Sequence, residues 1–210
     1  PPGHPVFELA ARRGVPVLSE VELGAAAGRA LGRRLVAVTG TNGKTTVVTL
    51  ITQMLLEGGV RAASAGNIGR PLLDAVHDDL DVVVAEVSSF QLAYTRDFRP
   101  SVAVLLNLAP DHGDWHPSFD DYIHAKCQIF ENQRGDDVLV FNADDPLVVQ
   151  AVVAAQATPR ATRSTQKAAS LPSSVIPRSV PIHVSSPKTS PARPPTRATQ
   201  DAMPPRRCTS

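Results

Sequence analysis

Between residues 35 and 157 the apolar residues fall in short runs, separated by polar turns that carry glycine or proline. The run Leu35 to Thr39 predicts a strand, and the pattern from Thr45 to Leu56 predicts a helix that Gly58-Gly59 stops. Val60 to Ala63 is a weaker strand candidate, Leu72 to His77 reads as helix, and Asp81 to Ala85 and Val102 to Leu106 read as strands. A helix over Phe119 to Phe130, a strand over Val138 to Phe141 and a helix from Pro146 to Gln156 complete the series, the last with proline in its first turn. The strand runs are continuous rather than alternating, as in strands covered on both faces. Strands alternating with helices predict an α/β fold built on a doubly wound, mostly parallel sheet.

Ligands in such sheets bind beyond the carboxyl ends of the strands, and the unusual residues gather there. The first strand runs into Gly40-Thr41-Asn42-Gly43-Lys44-Thr45-Thr46, a glycine-rich turn before a helix. Backbone N–H groups in such a turn point at phosphate oxygens, and the helix dipole favours negative charge. Lys44 then reaches the β- and γ-phosphates, and the Thr45 hydroxyl holds Mg²⁺. Val38 stands where the strict phosphate-loop pattern has glycine, so a plain Gly/Asn turn into an ordinary helix is the competing reading. The second strand candidate leads to Ala65-Gly66-Asn67-Ile68-Gly69, the third to Glu86-Val87-Ser88-Ser89, and the fourth to Asn107 ahead of Asp111-His112. A carboxylate at position 86 emerges beside the phosphate loop and suits a hard divalent cation, although a solvated acid at a strand end explains it too. Asp111-His112-Gly113-Asp114-Trp115-His116 is either a metal-capable loop or a structural turn. Lys126 has the position of a solvated helix lysine, and Cys127 that of a small buried residue.

Charge divides the chain in two. Residues 1–157 hold 12 Lys/Arg against 19 Asp/Glu, whereas residues 158–210 hold 9 against 1, so net charges of −7 and +8 make the overall +1. The second segment has no glycine, no aromatic residue and 10 of the 19 prolines. It cannot bury enough apolar surface to offset its ordering entropy, which predicts a disordered tail, and its composition reads as a coding sequence in a shifted frame. Its positive charge attracts nucleic acid only non-specifically, because it lacks aromatic residues for base stacking. Two cysteines without metal or redox spacing imply no disulfide framework. No apolar run is long enough for a membrane span and no basic-then-apolar signal opens the chain, which leads to the expectation of a cytoplasmic protein with no membrane partner.

Together the motifs resemble the ATP-dependent Mur ligases of peptidoglycan synthesis. That family shares Gly-Thr-Asn-Gly-Lys-Thr-Thr, a metal-binding glutamate, Asp-His-x-Asp and a lysine on the following helix, and residues 40–46, Glu86, residues 111–114 and Lys126 follow that order. The loops Ala65 to Gly69 and Glu86 to Leu92 are most like those of members that add D-glutamate to UDP-N-acetylmuramoyl-L-alanine. The resemblance implies the phosphate-loop fold of the family's central domain, over residues 35–157. It also implies that residues 1–34 are the end of a preceding UDP-binding domain. ATP and Mg²⁺ are the implied cofactors, held by Gly40, Thr41, Asn42, Gly43, Lys44, Thr45, Thr46 and Asn67. Thr45 and Glu86 would ligate one Mg²⁺, while Glu86, His112 and Lys126 would surround a second, the lysine being carbamylated in the family. Lys44, Glu86, His112 and Lys126 would carry the chemistry, and Asn67 and Ser88 would face the substrates. UDP-N-acetylmuramoyl-L-alanine and D-glutamate are thus the implied partners of a cytoplasmic monomer, by way of an acyl phosphate. Most of the N-terminal domain and the C-terminal domain of the family are not matched in this chain, so an inactive ligase fragment is expected. A non-catalytic nucleotide-binding remnant and a phosphate-loop ATPase or kinase of another class are the alternatives.

Overall fold

The computed structural model describes residues 4–157. Five strands, β1 (Arg34–Thr39), β2 (Ala62–Gly66), β3 (Val82–Glu86), β4 (Val102–Leu105) and β5 (Val138–Phe141), form one parallel sheet in the order β2-β3-β1-β4-β5. The helices are α1 (Pro5–Arg12), α2 (Glu20–Ala30), α3 (Lys44–Glu57), α4 (Leu72–Ala75), α5 (Ser89–Leu92), α6 (Phe119–Glu131) and α7 (Pro146–Ala157).

Valine and alanine dominate the strands, and alternate side chains feed two separate cores. On one face Val38, Val84 and Val104 pack with Val48 of α3. On the other Ala37, Val83, Ala85 and Leu105 pack with α2, α4, α6 and α7 through Val21, Leu72, Ile129 and Val148. All five residues of β3 are buried, as a strand between two helix layers requires. Burial at both faces is what a continuous run such as Val82-Val83-Val84-Ala85 encodes.

Two elements differ from the sequence expectation. The second strand begins at Ala62 rather than Val60 and runs to Gly66, because the amide of Val60 still closes the end of α3 on the carbonyl of Leu55 and pairing with β3 starts only at Ala62. Helix α4 is one turn, shorter than Leu72 to His77, and its start is capped by Glu20, which accepts from the amide of Leu73 at 2.6 Å. Helix α2 belongs to the same core as the sheet. Its buried Glu22 accepts from the amides of Arg96 (3.0 Å) and Asp97 (2.9 Å), tying the helix to the loop before β4. The segment expected to be a disordered, frame-shifted tail, residues 158–210, lies outside the described residues. Among the described residues no helix is long and apolar enough to cross a membrane.

Candidate functional site

Strand order places the carboxyl ends of β3, β1 and β4 side by side, with the phosphate loop in the middle. Gly40 leaves β1 at φ 156°, and a Cβ there would lie 2.9 Å from that of Leu106, so only glycine lets the loop pass this close to the end of β4. Gly43, in the left-handed region at φ 80°, turns the chain into α3. Asn107 then clamps the loop from the β4 side. Its Oδ1 accepts from the amide of Asn42 at 2.8 Å, its Nδ2 donates to the carbonyl of Asn42 at 3.1 Å, and its carbonyl accepts from the amide of Thr41. The Thr41 hydroxyl shares a 2.8 Å hydrogen bond with the phenol of Tyr122 and accepts from the amide of Ala109.

On the β3 side, Glu86 is 2 % exposed and holds two predicted residues. Thr45 donates its hydroxyl to Glu86 Oε2 at 2.7 Å, and Asn67 donates its side-chain amide to Oε1 at 3.0 Å. Two oxygen ligands in adjacent positions of an octahedral Mg²⁺ are about 2.9 Å apart, given metal–oxygen distances near 2.1 Å. The Thr45–Glu86 pair thus has the chemistry and the spacing of two neighbouring ligands. Among the described residues no group of three or more His, Cys, Asp or Glu side chains gathers to hold a metal ion. A cation here would therefore rest on this mixed hydroxyl–carboxylate pair, with its other positions left to phosphate oxygens and water.

Lys44 folds back over the loop and donates to the carbonyls of Gly40 (3.0 Å) and Thr41 (2.9 Å). Lys126 is 2 % exposed rather than solvated. Its ammonium donates to the carbonyl of Gly40 at 2.9 Å and lies 4.6 Å from the centre of the Tyr122 ring. Burial first, and the charge of Lys44 second, bring the Lys126 amine down to about 7. Cys127 beside it is buried as expected, and burial raises its thiol to about 11.

His112 adopts φ 53° and rests its ring over Phe90, centroids 4.6 Å apart, and near Tyr122. Its Nε2 lies 3.4 Å from Asp111 and makes no hydrogen bond to Glu86 or Lys126. His116 is the buried histidine of this loop. It hydrogen-bonds Ser89 at 3.0 Å, and burial, aided by the charges of His112 and Lys126, lowers its pKa. Ser88 caps α5, with its hydroxyl accepting from the amide of Gln91 at 3.2 Å.

The structure thus brings Gly40, Lys44, Thr45, Asn67, Glu86 and Lys126 to one rim, with His112 at its aromatic margin. Sequence reasoning did not give a role to Tyr122, which touches both the phosphate loop and Lys126, or to Asn107 as the clamp. For Asn107 a signal existed, an amide side chain just beyond a buried strand. For Tyr122, four residues before Lys126 and so one helical turn away, the spacing was the available clue.

The family described as Mur ligase middle domain matches residues 38–183, which include every residue of this rim. The chain belongs to the Mur ligase family. It is 48 % identical over 148 residues to the UDP-N-acetylmuramoylalanine–D-glutamate ligase of Pelobacter propionicus, covering 70 % of this chain and 32 % of that protein. To the ligase of the same description from Geotalea daltonii it is 51 % identical over 146 residues, covering 69 % and 31 %. The chain spans about a third of the length of these relatives. Among solved structures it is similar to a UDP-N-acetylmuramoyl-L-alanyl-D-glutamate–2,6-diaminopimelate ligase, at 28 % identity and a TM-score of 0.51 over 67 % of this chain and 34 % of that one. A Mur ligase middle domain accounts for the parallel sheet with its phosphate loop at the centre.

Proposed function

We propose that this chain is the nucleotide-binding part of an ATP-dependent ligase that adds D-glutamate to UDP-N-acetylmuramoyl-L-alanine. The observation that carries the reading is the 2.7 Å contact of Thr45 with the buried Glu86 at the rim of the phosphate loop. Identity near 50 % to the D-glutamate ligases supports the choice of substrates.

The terminal carboxylate of UDP-N-acetylmuramoyl-L-alanine attacks the γ-phosphorus of ATP, and the bond to the β,γ-bridging oxygen breaks to release ADP. The amine of D-glutamate then attacks the acyl phosphate, giving an amide and inorganic phosphate after loss of a proton. Negative charge gathers on the phosphoryl oxygens during the first transfer, and the cationic Lys44 opposes it. The amides of the loop, fixed from β4 by Asn107, supply further positive dipoles that need no rearrangement. Bound Mg²⁺ would supply neutralisation of phosphate charge at the Thr45–Glu86 pair, with Asn67 steadying the carboxylate. Near neutral pH part of the Lys126 population is unprotonated, and a neutral amine is the form that reacts with CO₂ to give a carbamate and a proton. That product is anionic and suits a second divalent cation together with Glu86 and His112. A kinase or ATPase of another class gives no role to the buried Lys126 or to Asn67.

Calorimetric titration of the chain with ATP, with and without Mg²⁺, tests the reading. Glu86→Gln keeps the size of the side chain and removes its charge, and is expected to weaken Mg²⁺-dependent ATP binding about 10–100-fold while leaving metal-free ATP binding close to that of the parent. Equal Mg²⁺ dependence in both proteins would overturn it.

A further inference from the structure

At the opposite edge of the sheet, the amino ends of β1, β4 and β5 border a cavity of about 170 Å³ lined by Ala25, Arg29, Arg33, Leu35, Arg99, Ser101 and Asp137. Three arginines line this small space. Arg33 uses Nε on the carbonyl of Val76 (3.4 Å) and Nη1 on that of Leu80 (2.8 Å), and stands 3.8 Å from the largely exposed Asp79. Arg99 donates Nε to Asp137 at 2.6 Å. Nη2 of Arg33, both Nη atoms of Arg99, the whole guanidinium of Arg29 and the Ser101 hydroxyl make no hydrogen bond among the described residues.

Arginine stays charged at any physiological pH. Asp137 balances one of the three charges, and Asp79 partly balances a second from outside the lining, so at least one positive charge remains. Positive charge in a concave, partly apolar site attracts anions more strongly than the same charge spread over a convex surface. The lining arginines and Ser101 come from three segments, α2, the turn before β1 and the turn before β4, which suits a ligand that accepts in several directions. Nucleotide-sized ligands generally need cavities of about 300 Å³ or more, and this one is too small for them.

We propose that this cavity binds a tetrahedral oxyanion of phosphate size, held by Arg29, Arg33, Arg99 and Ser101, at the edge of the sheet remote from the phosphate loop. The ligand is either free phosphate or the phosphate group of a larger metabolite.

Because the phosphate loop also attracts phosphate, the test uses the full chain carrying Lys44→Ala. Calorimetric titration with sodium phosphate, against sodium chloride at equal ionic strength, is expected to show one bound phosphate per chain. Arg29 is exposed and makes no hydrogen bond, so its replacement preserves the fold, as circular dichroism will check. Adding Arg29→Glu is expected to weaken binding at least about tenfold, a clear shift in Kd, and Arg29→Gln to fall between. Glycerol 3-phosphate in place of phosphate separates the sources: tighter binding assigns the group of a metabolite, and equal or weaker binding assigns free phosphate. Absence of phosphate binding in the Lys44→Ala chain, or unchanged binding in both Arg29 variants, would overturn the proposal. Neither result bears on ATP binding by the parent chain.

Discussion

A single lysine shows how strongly surroundings can change a side chain. An amine that water would keep protonated well above neutrality titrates near 7 at Lys126, since burial removes hydration and Lys44 adds repulsion. The charge of Asp111 favours the cation and only partly offsets that cost. Below about pH 7 the amine is protonated in both the folded and unfolded chains, and folding bears the full penalty of burying the charge. Between about 7 and the ordinary lysine value of 10.5 only the unfolded chain holds the extra proton, so stability rises with pH across this window and is level above it. Lys126→Met keeps the bulk without the charge. Urea unfolding at several pH values between 6 and 10 should show the parent gaining stability, on the order of a few kcal/mol, relative to the variant. Parallel curves for the two proteins would show that the amine is not destabilised by its site.

Elements act here mainly through how they end. Strand β2 closes on Gly66 at φ 99°, where a Cβ would stand 2.3 Å from the carbonyl oxygen of Glu86, the same oxygen that accepts from the amide of Asn67 at 2.8 Å. Gly66→Ala therefore forces β2 away from β3 beside the Thr45–Glu86 pair. It is expected to cost about 2–5 kcal/mol, from an unfavourable backbone angle and from overpacking, and to weaken Mg²⁺–ATP binding. Gly69→Ala, also at positive φ but with open space around it, should cost less. Equal unfolding midpoints for the two variants would contradict this account. The same strand ends explain what could be read in advance. Leu35 to Thr39 and Asp81 to Ala85 are apolar enough to announce themselves, and a glycine-rich turn or a lone acid beyond them marks the rim. Helix α2 did not announce itself, because its packing uses small residues: a Cβ on Gly24 would meet Leu72 Cγ at 2.7 Å, and one on Gly28 would meet Val76 at 3.0 Å. Such a helix has no apolar stripe to detect. Helix α5, a single turn, is too short to show a period. The burial of Lys126 depends on α6 lying against β1, a tertiary fact that no local pattern contains.

Across the whole molecule, strand order turns separate motifs into one site. With β1 between β3 and β4, the phosphate loop has Glu86 on one side and Asn107 on the other, although 46 and 67 residues separate these from Gly40 in sequence. On the proposed function, donors in the loop and Lys44 would take the triphosphate and the Thr45–Glu86 pair the cation. Ligation demands more, since the acceptor amine must be held against an acyl phosphate from which water is excluded. Among the described residues, the groups at the rim are already engaged with the loop or with one another. Ser88 caps α5, Asn67 holds Glu86, and Ser89 is taken by His116. Among the described residues no free set of cations is left there to grip the two carboxylates of D-glutamate. The chain by itself is therefore expected to bind Mg²⁺–ATP without turning it over to product. Saturating nucleotide at about 100 times Kd should stabilise it by about 2.7 kcal/mol, read as a rise in Tm that requires Mg²⁺ and is lost in Lys44→Ala. Phosphate release dependent on both UDP-N-acetylmuramoyl-L-alanine and D-glutamate should stay far below the ordinary enzymatic range of about 1–10³ per second. Turnover within that range would mean that the acceptor site is built from residues outside 4–157, and that the rim alone is not the limit of what this chain can do.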